Sequence, residues 1–556
     1  MYKLNRIQKN LYQLLVELDE ICKKYDIDYL LAGGASLGSI RNRRFMPWDD
    51  DIDLFITRDN WNKLRHIIET EENVLPEGRS MVYKENTPYY CNPLPRYVNT
   101  ETTTIYVSQS LPAKSCGHQI EFFIFNPMPL GEKAKEEYMD KLHVYTELLS
   151  PYFVVNKRAT LEEWEKHYEL YEHYCQRIDE EGEEKVLKEL EDELQQYSPK
   201  FCDQYCVFWG YNKHVYDKEH FQLESEMGQF EDGVFPLGYR PEGLLRSAYG
   251  DSWMYIPEYE EQLIHNAVRN DFLPFEEYSS RYLPKINRES IFEKCKINKR
   301  NNAKVYYNRR KVEMLIAKEI VAVGSVQVSK DLDGKDDYLR SLLEDKNYDE
   351  LSAEFGNFTD LQNIENVFKY NILAPISDKN LATYLFSLIE QGRYFDASKY
   401  LNAREAQDKP LNDELNRIMD IISICHEISV ARYDLKDVSL VQSLVDEYED
   451  TYDDLLDIYR ARIWIMENTA ESIDDYKMID ELCSHVLSLY PFDGETMAFQ
   501  ANAKTKCGQK KQAMKLYRKS VDHTRNGIIW QKVEDESGIS RMDMEAELIE
   551  ELNNEK

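Results

Sequence analysis

Two aspartates separated by one residue, Asp51 and Asp53, are the side chains of this sequence best suited to hold a divalent cation. In an extended strand alternate side chains share a face, so Asp51 and Asp53 would point one way while Ile52 and Leu54 enter a core. Carboxylates that close repel each other. A hard cation such as Mg²⁺ or Mn²⁺ removes the repulsion and keeps coordination sites for substrate phosphates. The pair therefore predicts a metal site for phosphate chemistry, rather than the solvated surface that acidic runs usually form.

Two consecutive glycines, Gly33 and Gly34, stand between a strand-like and a helical segment. Glycines at such a junction let the backbone come close to a ligand. The helix that follows would offer unpaired N–H groups and a favourable field for a phosphate, and Ser36 would add a hydroxyl donor. Alone, the glycines indicate only a turn; beside the aspartate pair they predict a phosphate-binding turn.

The elements that must position these groups follow from the spacing of apolar residues. Apolar positions from Leu4 to Ile21 recur at helical spacing and predict an amphipathic helix. Alternation over Asp51–Ile56 predicts a strand with one polar face. The remaining predicted elements of the first 130 residues are a strand over 28–32, helices over 35–41 and 58–71, and strands over 80–83, 102–107 and 119–125.

The residue pattern changes along the chain and divides it into two domains. We predict the α+β class for the first. Residues 1–295 mix helices with short strands and include a helical insertion at about 135–200, while 296–330 form a linker. Residues 331–556 read as almost wholly helical, with hairpin turns near 346–351, 392–397 and 508–513. The last turn resembles a tetratricopeptide unit, so we predict stacked helical hairpins; an ordinary helical bundle is the alternative.

Charge and hydropathy exclude several partners. The 102 acidic residues outnumber the 69 basic ones, which gives a net charge of −33. Such a surface repels nucleic acid and anionic lipid, so we expect no nucleic-acid partner. No run of residues approaches the length of a membrane span, and the N-terminal residues do not read as a secretory signal. We therefore expect a soluble, cytoplasmic protein.

The order of a strand, Gly-Gly, a helix and an Asp-x-Asp strand resembles the pattern of polymerase-beta-like nucleotidyltransferases. That pattern usually includes a third carboxylate on a later strand, and Glu121 is the candidate; the alternative is that it simply faces solvent. Glu121 would ligate the metal and lie near the incoming hydroxyl, as a base or through the metal. Sixteen residues separate Gly34 from Asp51, more than the pattern usually has, and they include arginines that suit a diphosphate: Arg41, Arg43 and Arg44.

A longer signature resembles the LicD/fukutin family. It consists of Leu-Ala-Gly-Gly-Ala-Ser-Leu-Gly-Ser-Ile-Arg at 31–41 and Phe-Met-Pro-Trp-Asp-Asp-Asp-Ile-Asp at 45–53. Downstream, Arg96 stands where the family commonly has Lys, and Glu121 stands in its Ile-Asp-Ile-Phe segment in place of Asp. Ala35-Ser36 replaces the common Thr-Leu. The similarity covers about residues 1–270, and its C-terminal end is similar at Tyr249-Gly250-Asp251, Pro257 and His265.

This resemblance implies a polymerase-beta-like fold and the transfer of a phospho-alcohol, phosphocholine or ribitol phosphate, from its CDP conjugate to a sugar hydroxyl. The hydroxyl would attack the phosphorus distal to cytidine, and CMP would leave. Asp51 and Asp53 would hold Mg²⁺ across the diphosphate, with Arg41 and Arg96 in contact with phosphate. Asp49 and Asp50 would support the metal site from outside. The expected donor is CDP-choline, and the expected acceptor is a cell-surface glycan such as teichoic acid or lipopolysaccharide, or its precursor.

Other functions remain open from the sequence. A nucleotidyltransferase that adds a nucleotide to a small molecule would use the same Gly-Gly and Asp-x-Asp elements. A glycosyltransferase with a metal-binding Asp-x-Asp would release a nucleoside diphosphate instead. A scaffold with an inactive transferase domain is disfavoured because the aspartate pair is intact. The helical half would bind the acceptor, bind a protein partner or mediate self-association.

Overall fold

The computed structural model describes most of the chain in two compact units. The first unit comprises Met1–Met254, Ile264–Val326 and Ile364–Asn366, and the second comprises Tyr255–Leu263, Gln327–Asn363 and Val367–Lys556. The residues described are 4–46, 48–88, 90, 92–105, 116–149, 161–208, 215–254, 265, 267–282, 309–364, 367–452, 455–491, 493–523 and 527–539, with isolated positions between 289 and 300.

The first unit mixes helices and strands, which confirms the predicted α+β class. Its helices are α1 (Arg6–Lys24), α2 (Gly33–Arg41), α3 (Arg58–Thr70), α4 (Glu132–Leu149), α5 (Leu161–Glu181), α6 (Glu183–Gln195), α7 (Glu219–Gln222), α8 (Pro241–Tyr249) and α9 (Phe275–Tyr282). Its strands are β1 (Leu30–Ala32), β2 (Asp53–Thr57), β3 (Arg79–Val82), β4 (Arg96–Asn99), β5 (Thr103–Ile105), β6 (Gln119–Pro127), β7 (Gln204–Val207), β8 (Val215–Asp217), β9 (Glu226–Phe230), β10 (Gly233–Gly238) and β11 (Val268–Asn270).

Seven of these strands form one sheet in the order β1-β2-β6-β4-β3, with β7 paired to β6 and β8 to β7. β2 and β6 run parallel, and Asp53 is the register partner of Glu121. The other pairs in this sheet are antiparallel. Because β2 and β6 start at the same edge, the carboxylates of Asp53 and Glu121 come from adjacent strand ends. β9 pairs with β10, and β11 pairs with β5, outside the main sheet.

Apolar side chains cover both faces of the sheet. Leu54 and Ile56 pack in one buried cluster with the apolar face of α1, whereas Phe55 faces a second cluster. The predicted burial of Ile52 and Leu54 is confirmed, since each is at most 1% exposed. The β2 strand begins at Asp53 rather than Asp51, so the predicted strand 51–56 is wrong at its start.

Helix α1 also holds the loop that carries the aspartates. Its N-cap Asn5 accepts a hydrogen bond from the Gln8 backbone N–H, and Gln8 returns the contact in a capping box. The Gln8 side chain then donates to the carbonyls of Met46 and Asp49, at 3.0 and 3.1 Å. The N-terminus of α1 therefore fixes the approach to the acidic segment. Pro47, within the predicted signature, lies outside the described residues.

Helices α4, α5 and α6 occupy the segment predicted to be a helical insertion. The segment predicted to be a linker, 296–330, contains the start of a helix over Arg309–Leu332. The predicted boundaries at 295 and 331 stay predictions. The predicted strand 102–107 is found over 103–105, and its last two residues lie outside the described part of the chain.

The described part of the second unit is helical, and the three predicted hairpin turns are confirmed. Each connects two helices: Asp336–Glu344 to Tyr348–Glu354, Asp378–Glu390 to Tyr394–Glu405, and Gly494–Lys506 to Lys510–His523. The tetratricopeptide-like character of the hairpins stays a prediction. Among the described helices, none combines the length and apolar composition needed to cross a bilayer.

Candidate active site

Both glycines of the predicted phosphate-binding turn lie inside helix α2, which starts directly at the end of β1. Gly33 has a φ of +51°, a left-handed conformation that side-chain-bearing residues rarely adopt. A Cβ at Gly33 would lie 3.3 Å from Asp53 Oδ2 and 3.7 Å from the Tyr249 hydroxyl. A Cβ at Gly34 would lie 2.4 Å from Asp49 Oδ2. The glycines are therefore needed for the close approach of α2 to the aspartates.

The first turn of α2 retains unused hydrogen-bonding capacity. Its N-cap residue, Ala32, makes no side-chain cap, so backbone N–H groups at this end are left for another acceptor. Ser36, in the second turn of the helix, is 3% exposed, and its hydroxyl has no hydrogen-bond partner among the described residues. A buried hydroxyl without a partner is uncommon in a folded protein. This end of α2 can therefore accept an anion.

Three aspartates form an acidic cluster beside this helix end. Burial raises the pKa of Asp53, and the charges of Asp51 and Glu121 raise it further, to well above the usual value for an aspartate. Burial and the neighbouring carboxylates likewise hold the pKa of Asp49 well above its usual value. The pKa of Asp51 is also raised, mainly by burial. The carboxylates therefore repel one another when ionised, as the sequence predicted for Asp51 and Asp53.

Asp50 differs from the other three aspartates because its carboxylate contacts two cationic side chains. His265 Nδ1 lies 2.7 Å from Asp50 Oδ1, and Arg269 Nη2 lies 2.7 Å from Asp50 Oδ2. Burial favours the neutral acid, yet Arg269 and His265 lower the pKa of Asp50 to about 2. The other ring nitrogen of His265 lies 3.2 Å from Asp51 Oδ2. Through His265, Asp50 therefore holds the carboxylate of Asp51.

Glu121 carries an ion pair that the sequence did not predict. Arg96 donates through Nε and Nη2 to Glu121 Oε1, at 2.7 and 2.6 Å. Arg96 is buried on β4, the strand next to β6, and its guanidinium lies 5.5 Å from the ring centroid of Tyr90. The structure therefore places the predicted phosphate ligand Arg96 against the predicted metal ligand Glu121.

Arg41 and Tyr249 complete the surroundings of the acidic cluster. Arg41 is buried at the end of α2, donates from Nε to Asn42 Oδ1 at 2.8 Å, and its charge lowers the pKa of Asp49. Tyr249 is 44% exposed. Desolvation of its hydroxyl nevertheless raises the pKa of the phenol, and the charges of Asp49, Asp51 and Asp53 raise it further. The Tyr249 hydroxyl thus stays protonated at neutral pH and can donate a hydrogen bond.

The acidic cluster fits a divalent cation in its charge and its donor atoms. Asp51 and Asp53 supply carboxylate oxygens, the ligands that Mg²⁺ and Mn²⁺ prefer, and their mutual repulsion calls for a cation. Glu121 adds negative charge, although one of its oxygens is already bound by Arg96. Within the described ranges, no three His, Cys, Asp or Glu side chains converge on one point. A cation here would therefore take its remaining ligands from substrate or water.

The structure brings together most of the predicted site residues: Gly33, Gly34, Ser36, Asp51, Asp53 and Glu121 lie around the N-terminal end of α2 and the starts of β2 and β6. Arg41 is the last residue of α2 and acts on the cluster through its charge. Sequence reasoning gave no role to Arg269, and it used Tyr249 and His265 only as part of a resemblance. The basic side chains of His265 and Arg269 suit contact with a carboxylate. Their pairing with Asp50 could not be predicted, because it joins residues 215 positions or more apart.

The comparisons with known proteins locate the same region. Residues 26–108 match the family described as LicD/FKTN/FKRP, nucleotidyltransferase domain. A relative is the lipopolysaccharide cholinephosphotransferase LicD of Haemophilus influenzae, which is 36% identical over 67 residues. That match covers 10% of this chain and 25% of the relative, so the chain spans about a quarter of that protein. The chain therefore contains a LicD family domain at residues 26–108, and the Gly-Gly turn and the aspartate cluster lie within it.

Proposed function

We propose that this protein is a divalent-metal-dependent transferase that moves a phospho-alcohol, with phosphocholine the first candidate, from a CDP-alcohol to a sugar hydroxyl of a glycan. The observation that carries the proposal is the position of the Asp51–Asp53 pair beside the uncapped N-terminus of α2. Acidic ligands for a cation and N–H donors for a phosphate occur within one small region. The LicD family domain and the cholinephosphotransferase relative support the choice of donor and acceptor classes.

Asp51 and Asp53 would hold Mg²⁺ or Mn²⁺ in this proposal. The ion, when bound, would neutralise charge on the diphosphate and polarise its phosphoryl oxygens. Asp49 is buried against Gly34, and Asp50 is bound by His265 and Arg269, so both would act on the metal ligands rather than on substrate. This division of roles is the one that the resemblance to the family implies for the four aspartates.

Phosphate oxygens would bind at the first turn of α2. The backbone N–H groups of Gly33 and Gly34 are available there, and the hydroxyl of Ser36 is available in the next turn. Tyr249 would donate a further hydrogen bond, because its hydroxyl lies near the same point as Asp53 Oδ2 and remains protonated. Arg41 would contribute positive charge from the other end of the helix. These groups would orient the diphosphate so that CMP can leave.

The geometry revises the proposed role of Arg96. With both contacting nitrogens directed at Glu121, Arg96 would fix the orientation of that carboxylate rather than contact phosphate directly. Glu121 would then accept the proton of the attacking sugar hydroxyl, since its carboxylate is partly exposed beside Asp53. An Arg96→Gln variant would distinguish the orienting of Glu121 from direct phosphate contact. Loss of the contact that orients Glu121 lowers folding stability as well as turnover.

The experiment that tests the proposal is identification of the nucleotide product. The protein, Mg²⁺ and CDP-choline are incubated with a glycan acceptor, and the nucleotides are separated by chromatography. The proposal expects CMP and phosphocholine on the acceptor, both lost in Asp53→Asn. Pyrophosphate release from a nucleoside triphosphate would favour a nucleotidyltransferase instead, for which the same acidic cluster would serve. Release of a nucleoside diphosphate would favour a glycosyltransferase.

A further inference from the structure

Strand β11 contacts two parts of the candidate active site. Arg269, in the middle of β11, binds the carboxylate of Asp50 at 2.7 Å. Asp271, the residue directly after β11, contacts the other part of the site, since its Oδ1 lies 2.8 Å from Nε2 of His118. His118 directly precedes β6, the strand that carries Glu121. One short segment therefore connects the loop of the aspartates with the start of β6.

His118 is held through its ring and through its backbone. Its side chain is 1% exposed, and Nδ1, the ring nitrogen that does not face Asp271, lies 3.1 Å from Thr104 Oγ1. The backbone N–H of His118 donates to Thr102 Oγ1 at 2.8 Å, and its carbonyl accepts from the Asn99 N–H at 2.8 Å. The imidazole therefore cannot turn without losing a buried hydrogen bond.

Pairing between β11 and β5 brings two groups to the same imidazole. Arg269 is the register partner of Thr104, whose hydroxyl contacts His118. Asp271 contacts the other nitrogen of that ring from the end of β11. The backbone pairing needs neither side chain, because it joins main-chain groups of 268–270 and 103–105. Removal of the Asp271 carboxylate is therefore expected to loosen the contact with His118 without separating the two strands.

The position of His118 matters for the site because β6 starts at the next residue. Glu121, the third residue of β6, is the register partner of Asp53 on β2. Gln119, the first residue of β6, donates from Nε2 to Glu121 Oε1 at 3.2 Å. A displacement of His118 would be passed to Gln119 and so to Glu121. His118 therefore helps to set where Glu121 lies relative to Asp53.

We propose that Asp271 and His118 are positioning residues that hold the aspartate loop and the start of β6 together, and so set the geometry of the cation site. Asp271 acts on β6 through His118, and Arg269 on the same segment acts on the aspartate loop through Asp50. Residues that orient metal ligands in this way contribute to metal affinity although they do not touch the metal. The inference rests on the proposed function, because it assumes the cation that this function assigns to the aspartate pair.

The test is the Mn²⁺ affinity of the full chain, measured by titration calorimetry in Asp271→Ala and Asp271→Asn. Loss of a direct partner of a metal ligand lowers metal affinity by about tenfold to a hundredfold. Asp271 acts through one more side chain, so we expect Asp271→Ala to weaken Mn²⁺ binding by about threefold to tenfold. Asparagine keeps an oxygen that can accept from the imidazole, and Asp271→Asn should therefore recover most of the loss. Release of CMP from CDP-choline should fall in parallel.

A second histidine–aspartate pair provides a matched control. His167 Nε2 lies 3.0 Å from Asp140 Oδ1, and the Asp140 side chain is 20% exposed, against 21% for Asp271. This pair joins α5 to α4 in the helical insertion. Asp140→Ala should destabilise the fold in urea, as Asp271→Ala does, but it should keep the Mn²⁺ affinity of the wild type. The comparison separates a role in positioning from a role in folding alone.

The possible results have distinct consequences. Unchanged Mn²⁺ affinity in Asp271→Ala, or an equal loss in Asp140→Ala, would overturn the positioning role and leave the proposed cation site intact. Absence of Mn²⁺ binding by the wild type would overturn the proposed function, and this inference with it. If Asp271→Ala does not fold, Thr104→Val takes its place, because it removes the other contact of the imidazole. Unchanged Mn²⁺ affinity in that variant would also overturn the positioning role.

Discussion

Replacing Gly34 by alanine tests whether the close approach of α2 to the acidic cluster matters for function. The added Cβ would lie 2.4 Å from Asp49 Oδ2 and 2.9 Å from the Asp49 Cγ. An ordinary contact requires the carboxylate to move by about 1 Å, and misplacement of that size near a reacting centre can reduce the rate by about a hundredfold. We therefore expect Gly34→Ala to lower turnover by between tenfold and a hundredfold.

The expected effect of Gly34→Ala on stability is smaller. Alanine favours the helix by up to about 1 kcal/mol over glycine. Overpacking against a buried carboxylate costs about 1–3 kcal/mol. The free energy of unfolding should therefore fall by about 0–3 kcal/mol, which leaves the protein folded. A large loss of rate with a small loss of stability is the pattern that identifies Asp49 as part of the working site.

The assay measures Mg²⁺-dependent release of CMP from CDP-choline, with chemical denaturation as the measure of stability. Gly356→Ala is the matched control, because Gly356 also begins a helix and nothing lies within 4 Å of a Cβ built there. It should leave turnover unchanged. If Gly34→Ala retains wild-type turnover, Asp49 is not needed at its present position, and the argument from close approach is refuted.

Three further predictions concern single side chains. Because burial and neighbouring acids raise the pKa of Asp53, its ionisation opposes folding as pH rises. Mg²⁺ should therefore raise the unfolding temperature more at pH 8 than at pH 5, and Asp53→Asn without metal should be more stable than the wild type at pH 8. Equal effects of Mg²⁺ at both pH values would contradict this prediction. Tyr249→Phe should lower kcat/KM by about tenfold to a hundredfold, because one hydrogen bond to a charged group is lost. Its affinity for Mn²⁺, measured by titration calorimetry, should be unchanged. Wild-type kinetics in this variant would exclude Tyr249 from the site. Arg96→Gln should lower the free energy of unfolding, measured in urea, by roughly 3 kcal/mol because Glu121 loses its ion-pair partner. Adding Glu121→Gln to the same chain should recover part of that loss. Unchanged stability in Arg96→Gln would restore Arg96 as a phosphate ligand.

The sequence predicted the elements whose signal is local. Helix α1, strand β2 and the three helical hairpin turns follow from apolar periodicity and turn residues over short windows. The strand assignment also predicted correctly that Ile52 and Leu54 are buried. It erred at Asp51, which precedes β2, because alternation of acidic and apolar residues continues beyond the pairing with β1 and β6.

Contacts between distant parts of the chain could not be predicted in this way. The pairing of Arg96 with Glu121 depends on β4 lying beside β6, and an order of strands cannot be read from either segment alone. The pairing of Asp50 with His265 and Arg269 joins segments more than two hundred residues apart. The positions of the glycines show the same limit. Their spacing indicated a phosphate turn, whereas their closest neighbours are the aspartates themselves.

The central claim is that Asp51 and Asp53 hold a cation that serves the transfer of a phospho-alcohol from a CDP-alcohol. Its most direct test is the nucleotide product formed from CDP-choline and a glycan acceptor, with and without Mg²⁺, in the wild type and in Asp53→Asn. We predict CMP in proportion to phosphocholine transferred, dependence on the metal, and a loss of about a hundredfold or more in Asp53→Asn. Turnover that persists in Asp53→Asn or in excess EDTA, or a product other than CMP, would contradict the claim.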